Sequence, residues 1–213
     1  MISYTSYRYL YPPRAENAIP PSALAEHEKD CLAMPKLNGG CTEIYTDGKQ
    51  VIVTNRHKKE KSNLQISRLE ALSLHRGKGW MIITGENMEK SKLGSDGKPF
   101  GGFVIWGIIA LDGYQLVGKT VEERISLLDQ LYGKADSREK WLYGASENVY
   151  RAKSYEKNFL KIYKEVTVVQ MYEGLVLYTK GIGLENGIKA MNNVGSILKC
   201  RAVRDGEKLN YNF

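Results

Sequence analysis

Cys41 to Tyr45 and Val51 to Asn55 are two runs with the period of extended chain, and between them lies Thr46-Asp47-Gly48-Lys49. A two-residue period puts alternate side chains on opposite faces of a sheet, and Asp-Gly supplies the positive-φ turn that closes a tight hairpin. The same period recurs at Cys31 to Pro35, Trp80 to Glu86, Phe103 to Leu111, Val166 to Met171, Gly174 to Tyr178 and Ile197 to Val203. Against these strands stands one clear helix, Thr120 to Tyr132, with Val121, Ile125, Leu128 and Leu131 on one face and Thr120 placed as its cap. Residues 135–165 mix Lys, Tyr and Glu at helical spacing, and Ser91 to Gly102 is polar and glycine-rich, as a loop should be. The expected class is therefore α+β: antiparallel sheets with few, flanking helices.

The 213 residues, read against about 150 per domain, allow one sizeable domain, assigned to 31–213, behind an arm at 1–30. Pro12-Pro13 and Pro20-Pro21 stiffen that arm, and Ser22 to Lys29 reads as a short polar helical stretch. The arm's arginines and tyrosines suit contact with nucleic acid; covering an edge of the sheet is the equally good alternative. The N-terminus has no apolar leader core. The longest apolar run, Phe103 to Leu111, is interrupted by Gly107 and falls far short of the ~20 residues of a membrane span, so a cytoplasmic protein with no membrane partner is expected. Cys31, Cys41 and Cys200 are widely spaced and odd in number, which suggests neither a disulfide framework nor a zinc site. A net charge of +7 favours a polyanionic partner.

Chemistry-bearing residues occur in a definite order. Lys36-Leu37-Asn38-Gly39 follows an apolar strand. Thr54-Asn55-Arg56-His57 and Thr84-Gly85-Glu86 end two more strands, and Trp106 lies in the apolar strand before Asp112-Gly113. Glu173-Gly174-Leu175-Val176-Leu177 and Leu198-Lys199-Cys200-Arg201 complete the series. In that order these segments resemble motifs I, Ia, III, IIIa, IV and V of the covalent nucleotidyltransferase superfamily, which contains ATP-dependent DNA ligases, RNA ligases and mRNA capping enzymes. The resemblance covers roughly residues 31 to 203. The two ends, Tyr9-Leu10-Tyr11-Pro12-Pro13-Arg14 and Lys208-Leu209-Asn210-Tyr211-Asn212-Phe213, are also similar to the ends of small ligase-like proteins found largely in phages, which implies a complete chain acting in a host cytoplasm.

The resemblance implies a nucleotidyltransferase (adenylation) fold and an ATP-dependent polynucleotide ligase. In such an enzyme Lys36 attacks the α-phosphate of ATP, expels pyrophosphate, and passes AMP to a 5′-phosphate end that a 3′-hydroxyl then attacks. Lys199 and Arg201, on alternate positions of one strand and so on one face, would neutralise the phosphate. Glu173 is a hard ligand suited to Mg²⁺ or Mn²⁺. Glu86 maps onto the ribose-contacting carboxylate and Trp106 onto the adenine-stacking aromatic. Arg56 maps onto the arginine that meets the nucleotide or the 5′-phosphate, and Asn38 onto the usual motif I aspartate. Taken singly, Glu86 reads equally well as an exposed strand end, Trp106 as core, and Arg56 as part of a solvated Arg56-His57-Lys58-Lys59 run.

Three departures matter. Asn38 keeps a short hydrogen-bonding side chain but loses the aspartate's charge. Cys41 replaces the arginine that DNA ligases and capping enzymes carry two residues after the motif I glycine, and Tyr178 replaces the lysine that usually ends motif IV. Few residues follow Lys199, so no C-terminal oligonucleotide-binding barrel is expected, and the arm or an accessory protein would take its place. The missing arginine and barrel favour RNA over DNA as substrate. Lys-x-Asn-Gly also resembles the motif I of fungal tRNA ligases.

Two other classes compete. Gly113-Tyr114-Gln115-Leu116-Val117-Gly118-Lys119-Thr120 matches the P-loop expression between an apparent strand and helix, which would make the chain a P-loop kinase or NTPase. Tyr114, Gln115 and Leu116 are bulky for a loop that must wrap phosphate, and the ligase reading makes Asp112-Gly113 a turn and Thr120 a cap. A non-catalytic RNA-binding module is the third class, favoured by charge and by 14 tyrosines.

Overall fold

The computed structural model describes residues 18–184 and 195–202. The two chain ends just compared with phage ligases, and Val203, lie outside them.

Eleven strands occur among the described residues, in two sheets. The smaller sheet joins β1 (Cys31–Leu37), β10 (Tyr172–Thr179) and β11 (Ile197–Arg201), all antiparallel. The larger contains β2 (Gly40–Thr46), β3 (Val51–Asn55), β4 (Met81–Met88), β5 (Gly102–Leu111), β6 (Tyr114–Gln115), β7 (Ala135–Asp136), β8 (Leu142–Gly144) and β9 (Val149–Ala152). Its order is β3-β2-β4-β5-β9-β8-β7, with β6 pairing on β5; only β5 and β9 run parallel. The helices are α1 (Arg68–Ser73), α2 (Val121–Tyr132) and α3 (Phe159–Val166). The α+β expectation holds, with one parallel pairing inside an otherwise antiparallel sheet.

Strand alternation sorts the core. On the large sheet Ile44, Ile83, Phe103 and Ile105 turn to one face and pack with Leu74, Leu128 and Tyr132 beneath α1 and α2. The opposite face carries Cys41, Glu43, Thr84, Glu86 and Trp106 towards the small sheet. Behind the small sheet, Leu175, Leu177 and Cys200 are fully buried with Leu24, Phe159 and Val166. The Asp-Gly hairpin forms as the sequence predicts: Asp47 Oδ1 accepts the N–H groups of Lys49 (2.9 Å) and Gln50 (2.8 Å). Thr120 caps α2 in a reciprocal capping box with Glu123.

Three readings of the sequence fail. Most of 135–165 is not helical but contains β7, β8 and β9, with α3 only at its end; Arg151, buried on β9, is met there by Asp129 at 2.5 Å. Val166 to Met171 is not a strand, because Thr167 turns its hydroxyl back to the Tyr163 carbonyl (2.8 Å) and closes α3. The Gly113–Thr120 segment is no phosphate cradle. Tyr114 and Gln115 pair with β5, and the Lys119 ammonium is held by Glu123 at 2.7 Å.

The described end of the arm lies along a sheet edge. Ala18 bridges to Lys199 of β11, and the Ile19 N–H donates to the Lys199 carbonyl at 2.8 Å. Pro21–His27 is a 3-10 turn that buries Leu24 completely, and Glu28 Oε1 accepts the Phe159 N–H (2.8 Å) at the start of α3.

Past β10 the chain crosses to α2. The Gly118 N–H donates to the Leu184 carbonyl (2.9 Å), the Leu184 N–H to the Lys119 carbonyl (2.8 Å), and the Gly181 N–H to the Glu122 carboxylate (2.9 Å). This strap joins the small sheet to the edge of the large one.

Candidate active site

Between the sheets lies a cleft of about 450 Å³. Lys36, Arg56, Glu86, Trp106, Glu173 and Lys199 all line it, although each comes from a different strand or strand end and they are scattered over most of the chain.

Lys36 sits where the chain leaves β1 for β2. Its register partner on β10 is Gly174, and the ladder shifts between Lys36 and Leu37, so that Glu173 comes opposite the bulge. The Lys36 ammonium donates to Glu173 Oε2, and Arg201 Nη2 approaches the other oxygen, Oε1, at 3.4 Å. Two glycines make this approach possible. A Cβ on Gly39 would stand 2.7 Å from the Asn87 carbonyl oxygen and 2.8 Å from Glu86 Cγ, so only glycine lets the crossing chain pass over β4. Gly174 has φ +140° and lies so near β11 that a Cβ would come 2.0 Å from the Cys200 carbonyl oxygen.

Glu86 faces Cys41 across the β2–β4 ladder and hydrogen-bonds Trp106. Burial pushes its carboxyl up to about 7; Lys36 opposes that rise, and Glu173 adds to it. Burial also draws the Lys199 ammonium down to about 8, and the charges of Lys36 and Arg56 push the same way. Arg56, exposed at the end of β3, thus stands at the cleft mouth within electrostatic reach of Lys199.

Two of the residues singled out from sequence are not in the lining. Arg201 reaches the site through Glu173. Asn38 does not line the cleft; the turn ties its backbone N–H to the Met171 carbonyl (2.9 Å).

Sequence reasoning missed Arg124. It projects from α2 into the cleft wall opposite Tyr178, its Nε is buried without a hydrogen-bond partner, and burial lowers its pKa. Burial pushes Tyr178 up to about 12, against the pull of Arg124. A signal was available: Arg124 falls between Val121 and Leu128 at i+3 and i+4, a charge inside an apolar stripe.

Among the described residues no three His, Cys, Asp or Glu side chains gather as a metal cluster. The cleft's carboxylates are Glu43, Glu86 and Glu173, and a single one suits an ion such as Mg²⁺, which keeps several waters and takes one or two carboxylates together with substrate phosphates. No helix among the described residues is long and apolar enough to cross a membrane.

No family model matches the chain, and no curated protein is significantly similar to it. Solved structures do share its fold. A mycobacterial DNA ligase D complexed with ATP and MES aligns with TM-score 0.61 at 15% identity, over 94% of this chain and 62% of that one. The ligase domain of LigD from M. tuberculosis aligns with TM-score 0.60 at 15% identity, over 86% and 58%. The chain therefore spans less than two thirds of either of these two ligase chains.

Proposed function

We propose that this chain, which has the nucleotidyltransferase fold of ATP-dependent ligases, is an ATP-dependent polynucleotide ligase that works through a covalent lysine-AMP on Lys36. The observation that carries this reading is the convergence of Lys36, Glu86, Trp106, Glu173 and Lys199 on one cleft that also receives Arg56 at its mouth.

In the first step the Lys36 amine forms a P–N bond to the α-phosphorus of ATP while the bond to the bridging oxygen breaks and pyrophosphate leaves. A 5′-phosphate oxygen then displaces Lys36 from AMP. Finally a 3′-hydroxyl attacks that 5′-phosphate and AMP departs. Glu173 holds the amine beside the reacting phosphorus, and Arg201 holds Glu173 from its other oxygen. Lys199, which titrates near 8, is a cation and proton donor at the phosphate. Trp106 offers the base a stacking face, and Glu86 accepts a ribose hydroxyl. Glu173 would hold Mg²⁺ or Mn²⁺ together with the nucleotide phosphates, and such an ion would supply Lewis-acid neutralisation of their charge.

RNA is the proposed preferred substrate, because Cys41 faces Glu86 where DNA ligases carry an arginine. Nicked duplexes and single strands of RNA and of DNA, each with a 5′-phosphate, decide this at equal salt. Faster sealing of RNA is expected; sealing of an all-DNA nick with none of an RNA 3′-hydroxyl end would reverse the choice. The ligase reading itself is tested with α-labelled ATP followed by denaturing electrophoresis. Label should attach to the unaltered chain, and not to the Lys36→Ala variant. Label that resists detergent and heat on that variant would overturn the assignment.

A further inference from the structure

At the end of β3 the chain folds back on itself and presents Arg56, His57, Lys58 and Lys59 in succession beside the cleft mouth. The turn is held firmly. Asn55 Oδ1 accepts the N–H groups of His57 (2.8 Å) and Lys59 (3.1 Å). The Asn55 N–H donates to the Lys59 carbonyl (2.8 Å), and the Lys61 N–H donates to the Val53 carbonyl (2.8 Å). Arg56, His57 and Lys59 are exposed, and Glu60 is the only acid in the run. Lys61, just beyond, donates to Thr42 Oγ1 (3.0 Å) on the neighbouring strand, which fastens the end of the turn to β2.

A solvated charge run needs no such fixed backbone, and this one is continuous with a residue that lines the cleft. The charge of Arg56 already acts on Lys199 inside. Resting on the ligase reading, we infer that this turn is a docking surface for the phosphodiester backbone of the substrate strand, with Lys58 and Lys59 meeting the linkages next to the 5′-phosphate that enters beneath Arg56. A row of cations on a fixed backbone fits a polyanion's backbone, and such contacts carry no base sequence.

The test compares the full chain with a Lys58→Asn/Lys59→Gln double variant. Asparagine removes the charge at position 58 and tolerates its left-handed backbone (φ 59°). Binding of 5′-phosphorylated single-stranded oligonucleotides, in an RNA arm and a DNA arm, is followed by fluorescence anisotropy as salt is raised. The double variant should bind more weakly, and the slope of log K against log salt should fall by about 1.4, at ~0.7 per lost phosphate contact on a single strand. Labelling by ATP should be unchanged. The single Lys59→Gln variant should give about half that change in slope and guards against misfolding of the double. Neutral methylphosphonates at the two linkages next to the 5′-phosphate should weaken binding by the unaltered chain and leave the double variant indifferent.

An unchanged salt slope, or methylphosphonates that weaken both proteins equally, would overturn the docking surface, as would failure of the unaltered chain to bind. Loss of ATP labelling in parallel with binding would place these lysines on the nucleotide instead, and also overturn it. Binding with no label transfer by the unaltered chain sinks the ligase reading alone.

Discussion

Replacing Glu86 by glutamine should make the ligand-free protein more stable at pH 8 and no different at pH 4. Glu86 ionises at 4.5 in the unfolded chain and at about 7 in the fold, where burial penalises its charge. Between those values the unfolded chain has released a proton that the folded chain keeps, so folding stability falls as pH rises through the window and the loss is complete above the folded value. The window is about 2.5 pH units wide, and at 1.36 kcal/mol for each the cost at pH 8 is about 3 kcal/mol. A glutamine at this position would be uncharged throughout and could keep the hydrogen bond from Trp106, so the cost disappears. Urea denaturation of both proteins at pH 4, 6 and 8 measures it, the gap opening from near zero to about 3 kcal/mol. For a chain of this size the melting temperature at pH 8 should rise by roughly 6–12 °C. A gap equal at all three values, or a variant less stable at pH 8, would refute the idea that the cleft holds a destabilised carboxyl. If Glu86 accepts the ribose hydroxyl as proposed, the same variant should bind ATP more weakly, and stability would be given up here for a site.

Trp106→Ala should raise KM for ATP about 5- to 150-fold, from the roughly 1–3 kcal/mol of a base–aromatic stack, with a smaller effect on kcat; initial rates of self-labelling over a range of ATP concentrations measure it, and an unchanged KM would place the base elsewhere. Thr120→Ala, which breaks the capping box on α2, should cost about 1 kcal/mol in thermal or urea melts, whereas Lys119→Ala should leave labelling intact; a labelling defect confined to Lys119→Ala would revive the P-loop reading.

Strands that alternate cleanly were legible in the sequence, and so was the Thr120 cap of α2. Ile44 and Ile83 point one way while Cys41, Glu43, Thr84 and Glu86 point the other, as a two-residue period requires. The segment around Arg151 was not legible, because β8 and β9 are short and their partners come from a distance: Arg151 is met by Asp129 of α2, and α3 is started by Glu28 of the arm rather than by a local cap. The run Val166-Thr167-Val168-Val169 has the composition of a strand but ends a helix, a case of tertiary context overriding propensity. Within the site, motif order identified Lys36, Arg56, Glu86, Glu173 and Lys199 as lining residues because each lies in, or just past, a strand that borders the cleft. It missed Arg124, which enters from a helix that carries no motif, and the buried Glu43, and it included Asn38, which does not line the cleft although Leu37 and Gly39 on either side of it do.

The chain passes from the small sheet to the large one through Lys36 to Gly40, with Gly39 pressed against β4. The two sheets are thus bound like the covers of a book, and Lys36 is at the spine. At the fore-edge the strap from Gly181 to Leu184 is a clasp of three hydrogen bonds, two of them between backbone groups. When covers part, displacement grows with distance from the spine. Parting the covers would break the clasp's hydrogen bonds, whereas Lys36 and Glu173, both on the small sheet, would keep the spacing that the β1–β10 ladder gives them.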